Sequence, residues 1–180
     1  MPLSIFPKPY ADFVARLRVP SGFLLVAAFA WFAHPSPQSL AFGLPLSAAG
    51  LMLRAWAAGH LAKNRRLTTS GPYAYIRNPL YLGTLVVAGG LAIACRSVGL
   101  AILFGFVFLF IYLPVIMLEE QHLRELFPEF ESYARSVPAL IPYRRGSAHG
   151  RFSWALYRKN QEYQALVGFM AGIVYLVFTM

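Results

Sequence analysis

Charge is scarce in this chain. Only 13% of its 180 residues are charged, against about a quarter in soluble domains, while 58% are hydrophobic. That shortage excludes an ordinary soluble domain and points to a membrane protein. Acids are scarcer still, with seven Asp and Glu against sixteen Lys and Arg and a net charge of +9. Such a surplus suits nucleic acid when it forms one patch. Here the bases stand at the ends of apolar runs, where they meet lipid headgroups, so no nucleic-acid partner is expected. The single cysteine, Cys95, allows no internal disulfide and no Cys-based metal cluster. The four histidines, His34, His60, His122 and His149, have no mutual spacing suited to a metal, and none is expected. Residues 1–18 lack an apolar centre and include Pro7, Pro9, Asp12, Arg16 and Arg18, so no cleavable signal peptide is read there. No internal repeat, low-complexity tract or soluble domain boundary interrupts the rest.

Long apolar runs are what the chain has in plenty. They divide it into about five spans, at residues 19–35, 39–61, 80–95, 97–118 and 163–180, of which the first and last are short for the roughly 20 residues a bilayer needs. The fold class read from them is all-α: a polytopic membrane helix bundle forming a single integral domain over residues 1–180. Residues 1–18 read equally as an interfacial segment, with Ile5, Phe6, Phe13, Val14 and Leu17 toward lipid, or as a frayed terminus. Residues 34–39 read as a tight turn. Arg54 interrupts the second span, and either snorkels to the basic end or points into the bundle. Gly83, Gly89 and Gly90 should let the third span approach a neighbour closely. Pro114 lacks an N–H, frees the carbonyl of Phe110 and should kink the fourth span. Beyond it, residues 119–130 read as an amphipathic helix with Leu123, Leu126 and Phe127 on one face. Residues 137–142 read as extended, 143–146 as a basic surface loop and 151–159 as an interfacial helix.

Orientation follows from the bases. Three Lys and Arg precede the first span, four lie in the second connection and seven follow Glu119, whereas the opposite connections hold only Arg96. The amino terminus and the segments 62–79 and 119–162 are thus expected in the cytoplasm, with the carboxy terminus outside.

Residues 67–83 stand out within the cytoplasmic side. Gly71-Pro72 and Asn78-Pro79 are turn signals, because proline fixes its own φ and displaces its predecessor from the helical region. The loop also carries Tyr73, Tyr75 and Tyr81, which can stack on a planar ring or cover a cation, and Arg77, which can grip a carboxylate or phosphate bidentately. Glu119 and Glu120 lie on the same side and flank the same hairpin. At the end of the fourth span a carboxylate opposes the helix dipole, so Glu119 is expected to need a compensating partner. Rings, one guanidinium, turn N–H groups and two carboxylates suit S-adenosylmethionine, which presents an adenine, a ribose diol, both amino-acid charges and a sulfonium. Residue chemistry alone does not select it.

These two segments resemble the signature of the isoprenylcysteine carboxyl methyltransferase and phospholipid methyltransferase superfamily. Residues 67–83 carry its first half. Glu119, Glu120, Gln121, His122 and Leu123 carry the second, with Phe127, Tyr133, Val137-Pro138 and Ile141-Pro142 downstream. Arg54-Ala55-Trp56 and Gly59-His60-Leu61 are similar to the lead-in of bacterial members, and the resemblance covers about residues 50–143. It implies an S-adenosylmethionine-dependent integral membrane methyltransferase of a bacterial inner membrane, its active site facing the cytoplasm. The acceptor class it implies is lipid-like or membrane-embedded: a phospholipid amine, a thiol or a prenylcysteine carboxylate. Under this resemblance Leu67, Thr68, Gly71, Tyr73, Asn78, Pro79, Leu80, Tyr81 and Glu119 bind the cofactor. Arg77, Asn78 and Glu120 are expected at the chemistry, with Glu120 the candidate base, and Arg54 and Tyr75 on the acceptor side. Departures from the pattern are Asn78 where many members have histidine, Pro128 for glycine and Phe130 for tyrosine. Val115 stands where the prenylcysteine enzymes have an arginine linked to substrate, which argues against their substrate. Two rival readings are an NADPH-dependent membrane reductase of the sterol type and a non-enzymatic membrane scaffold.

Overall fold

Proline and serine set where the helices begin. In a computed structural model describing residues 7–142 and 150–180, helix α1 covers Lys8–Phe32 and α2 covers Pro37–Ala58. The Ser36 hydroxyl accepts from the Ser39 amide while the Ser39 hydroxyl answers the Ser36 amide, a reciprocal cap with Pro37 at the first helical position. Helix α3 (Pro79–Ala94) shares only the proline at its first position, since the Asn78 side chain before it makes no cap. Helix α4 (Val98–Val107), capped by Ser97, passes through one wide π-type turn (Phe108–Tyr112) into α5 (Leu113–Leu126). Short helices α6 (Phe130–Ser136) and α7 (Trp154–Lys159) and the terminal α8 (Tyr163–Phe178) follow, with no strand among the described residues. The expected basic loop at 143–146, with Ile5 and Phe6, lies outside the described residues.

This is an all-helical membrane bundle, but length separates the apolar runs. Pro37–Ala58 and Val98–Leu126 are long and apolar enough to cross a bilayer, and α1 joins them if its halves Pro9–Leu17 and Val19–Phe32, bent by 48°, count as one. The bend falls between Leu17 and Val19, in the turn before Pro20, whose missing N–H removes a helical hydrogen bond. Helices α3 and α8 have 16 residues each, so at 1.5 Å per residue they fall several ångströms short of a ~30 Å hydrocarbon core. Among the described residues two or three helices are thus long and apolar enough to be full spans, where five apolar runs were read.

The tightest packing joins α2 to α3, through small residues on both. A Cβ on Gly43 would meet the Gly90 carbonyl, and one on Gly50 would lie 2.7 Å from the Gly83 carbonyl. Gly83 and Gly90 do serve close approach, but Gly89 faces open space, so the expectation fails for that one residue. The Ser47 hydroxyl donates to the Val87 carbonyl at 3.0 Å across the same seam.

Pro114 behaves as its chemistry demands. The π-type turn lies just before it, and the freed Phe110 carbonyl accepts the Tyr10 hydroxyl of α1 at 2.9 Å. The segment before Arg18 is therefore helix packed on the bundle. Val14, expected toward lipid, is buried because α1 lies against α5, while Phe13 is exposed. Helix α5 also runs unbroken to Leu126, so the expected amphipathic helix at 119–130 is the end of the fourth span. That corrects the dipole argument for Glu119, which stands two turns inside the helix, where the terminal field has faded.

Candidate functional site

The loop between α2 and α3 is held by main-chain and side-chain bonds working together. Gly71 has φ +61°, and a Cβ there would touch the His60 ring at 2.7 Å, so glycine meets two demands at once. A tight 3-10 turn (Gly71–Ala74) follows, and the Tyr133 hydroxyl donates to the Tyr73 carbonyl at 2.7 Å. The extended stretch after α6 then pairs with the loop: Arg77 N–H donates to the Pro138 carbonyl (2.8 Å) and Asn78 N–H to that of Ala139 (3.1 Å).

Arg77 is the centre of this clamp. Its Nε and one terminal nitrogen donate to the two Glu120 oxygens at 2.9 and 3.1 Å, and the other terminal nitrogen donates to the carbonyls of Ala134 and Val137, both at 2.8 Å. The Asn78 side-chain amide adds a third bond to Glu120 (2.9 Å) and one to the Ala139 carbonyl. Both partners are largely withdrawn from solvent, at 15% and 13% exposure. Arg77, Asn78 and Glu120 are thus brought together, with their hydrogen-bonding capacity turned mostly on one another and on the main chain.

A second pair links α2 to the start of α8. Arg54 crosses the face of Gly83 and donates bidentately to Glu162, which leads into α8, with one bond at 3.0 Å. Its remaining nitrogen reaches the Thr84 hydroxyl and the Leu80 carbonyl. Exposures of 23% for Arg54 and 8% for Glu162 place the pair inside, so of the two readings of Arg54 the inward one holds. Beside it sits Tyr73, 7% exposed. Burial pushes its hydroxyl well above the usual tyrosine range, and the charges of Tyr133, Glu119 and Glu162 push the same way while Arg54 opposes them. Glu119, Glu162 and Arg54 are therefore near enough to act on the Tyr73 hydroxyl. At neutral pH the Tyr73 hydroxyl remains a donor.

The three tyrosines of the loop diverge. Tyr73 points to that interior, and Tyr81 packs edge-on against Tyr112 with centroids 6.0 Å apart. Tyr75 lies near Trp56 in a lateral apolar groove of ≈ 350 Å³ with Leu53, Ile76, Leu82 and Pro142. Thr68 is buried, its hydroxyl accepting from the Ala62 amide at 3.3 Å, and Leu67 is half-buried beside it. Pro79 is buried and Leu80 half-buried, with its carbonyl turned to Arg54. Val115 and Phe130, two of the departures from the family pattern, are both core residues.

Sequence reasoning missed Glu162 and the segment leading to it. The Asn160 side chain donates to the carbonyls of Ala58 and Leu61 at 2.9 and 3.0 Å, closing the end of α2, and the Ser153 amide donates to Gly59. Phe152 covers Gly59 and His60, while Gly150 lies against Ser70. The Asn160 and Glu162 partners lie about a hundred residues away, so no local pattern announced them.

Apolar spans with a polar loop clamped across one end define a helical integral membrane protein with a candidate small-molecule site. Residues 39–129, just over half of the chain, match the family model described as phospholipid methyltransferase. The chain belongs to the phospholipid methyltransferase family. It is 34% identical over 124 residues to the cobalt-zinc-cadmium resistance protein CzcN of Cupriavidus metallidurans, covering 68% of this chain and 57% of that protein. It is 38% identical over 91 residues to the nickel-cobalt-cadmium resistance protein NccN of Alcaligenes xylosoxydans xylosoxydans, covering 49% and 43%. A third relative is the protein-S-isoprenylcysteine O-methyltransferase of Schizosaccharomyces pombe, 28% identical over 141 residues, or 75% of this chain and 59% of that one. The chain thus spans less than two thirds of the length of each of these curated relatives. No solved structure matches. Among the described residues no group of three or more His, Cys, Asp or Glu is placed to hold a metal ion.

Proposed function

We propose that the protein is an integral membrane methyltransferase that takes its methyl group from S-adenosylmethionine and gives it to a lipid-like acceptor. The observation that carries this reading is the Arg54–Glu162 pair beneath a loop of the matched family, within electrostatic reach of the buried Tyr73 hydroxyl. A buried tyrosine that keeps its proton can hydrogen-bond without adding charge, and its ring tolerates a sulfonium. Glu119 would hold the donor's amino group, with Leu67, Thr68, Gly71 and the Asn78–Tyr81 turn around the nucleoside. The bound donor supplies an electrophilic methyl, displaced in line by the acceptor.

The chain's own part is then to orient and to exclude water. Arg77, Asn78 and Glu120 act mainly as positioning residues, because their donors and acceptors hold the loop against α5 and the stretch after α6. The apolar groove at Tyr75 and Trp56, which Pro72 of the 3-10 turn also lines, would take the acceptor's hydrocarbon. Placement in a bacterial inner membrane with this end toward the cytoplasm is part of the proposal and rests on the distribution of bases. Calorimetry on detergent-purified protein tests it. S-adenosylmethionine should bind and NADPH should not; binding of NADPH alone would favour a reductase, and binding of neither a scaffold.

A further inference from the structure

Glu162 lies outside residues 39–129, on the segment that closes over the end of α2, yet it makes both hydrogen bonds of a bidentate pair with the guanidinium of Arg54. A charge at this depth is costly unless it is paired. The pairing is also specific in direction. Arg54 is steered across Gly83, where a Cβ would lie 2.6 Å from its Cγ, and its last nitrogen is fixed by Thr84 and Leu80. Leu80 belongs to the loop that the proposed function assigns to the methyl donor. A sulfonium donor is cationic, so an uncompensated guanidinium in this place would repel it, while a demethylated donor would feel no such penalty at sulfur.

Resting on the reading above, we infer that Glu162 is a positioning residue for methyl transfer: it fixes Arg54 and cancels its charge, so that the site tells a sulfonium donor from its neutral thioether product. The carboxy-terminal segment then contributes to the site as well as covering it. Asn160, two residues earlier, ties the same segment to Ala58 and Leu61 and sets the height at which the carboxylate meets Arg54. The expected effect is electrostatic and selective. One unit charge acting over roughly 10 Å at an effective dielectric near 20 changes an equilibrium about tenfold.

The test is the ratio of dissociation constants for S-adenosylmethionine and S-adenosylhomocysteine, measured by calorimetry on the full chain in detergent. Glu162→Gln should shift the ratio about tenfold against S-adenosylmethionine, because Arg54 keeps its charge and loses its partner. Arg54→Gln should shift it the other way, and it decides the matter where Glu162→Gln does not fold. The double variant, neutral in both places, should return the ratio to the wild-type value. A purely structural role would weaken both ligands equally and leave the ratio within about twofold in all three, which would overturn the inference alone. Wild-type protein that binds neither ligand overturns the proposed function, and the inference with it.

Discussion

Two arginine–glutamate pairs hold this molecule together at the same end, and they are built differently. Arg77–Glu120 is closed on itself: each guanidinium nitrogen meets Glu120 or a main-chain carbonyl, and Asn78 takes a further bond to the carboxylate. It joins the loop to α5 and to the extended stretch at 137–139, wholly through local architecture. Arg54–Glu162 instead joins α2 to the start of α8, and its charges reach the hydroxyl of Tyr73. Identical chemistry thus serves two ends. The first pair spends its bonds on joining the loop to its neighbours, whereas the second ties two distant helices together within reach of a buried hydroxyl.

Breaking the closed pair should have the largest effect. Arg77→Met leaves Glu120 without its guanidinium and the carbonyls of Ala134 and Val137 without their tie, a loss of roughly 3–5 kcal/mol. Thermal unfolding in detergent should show it as a marked fall in midpoint; an unchanged midpoint would show that the clamp is dispensable. Glu119→Gln should act in the opposite manner, since its proposed role is toward the ligand. Losing one charged hydrogen bond costs about 1.5–3 kcal/mol, so affinity for S-adenosylmethionine should fall roughly tenfold to a hundredfold with little change in unfolding.

The seam that delivers Arg54 can be tested by glycine pairs. Gly83→Ala drives a methyl into Arg54 Cγ and the Gly50 carbonyl and should cost about 1–3 kcal/mol, whereas Gly89→Ala meets nothing within 4 Å and should leave the midpoint where it is. Equal effects would remove the α2–α3 seam from the account. The smallest effect concerns pH. Burial chiefly raises the hydroxyls of both Tyr73 and Tyr133 above the ordinary value of 10.0. The folded chain therefore keeps protons that the unfolded chain releases, so this contribution is fully present below pH 10 and is lost as pH climbs beyond it. Ultraviolet titration should find two of the ten tyrosines ionising only with unfolding.

Much of this was legible where the signal is local. Pro114 announced both the freed Phe110 carbonyl and the disturbed turn before it, because a missing N–H acts on its own helix. The turn residues at Gly71-Pro72 and Asn78-Pro79 located the loop for the same reason. Partnerships across the chain were not legible. Arg77 could be read as a gripping group, but nothing near it said that Glu120 and two carbonyls would absorb that grip. Glu162 has no distinctive neighbours, and its meaning comes wholly from Arg54, more than a hundred residues away. Gly43 and Gly50 carry as much of the α2–α3 seam as Gly83 and Gly90, yet a glycine in an apolar run shows its partner only after folding. Helix ends were blurred by hydropathy: α5 runs two turns past the end of the continuous apolar run at Leu118, so Glu119 reads as terminal in sequence and lies well inside the helix.

The central claim is methyl transfer at this end of the bundle, and methyl transfer can be counted. Purified protein given S-adenosylmethionine with an isotopically labelled methyl, together with a membrane lipid extract, should move label into the organic phase. Glu119→Gln should do so at a rate lower by about an order of magnitude at sub-saturating donor. Label that stays in the donor with every lipid, thiol and prenylcysteine acceptor offered, or that moves equally fast in the variant, would contradict the account.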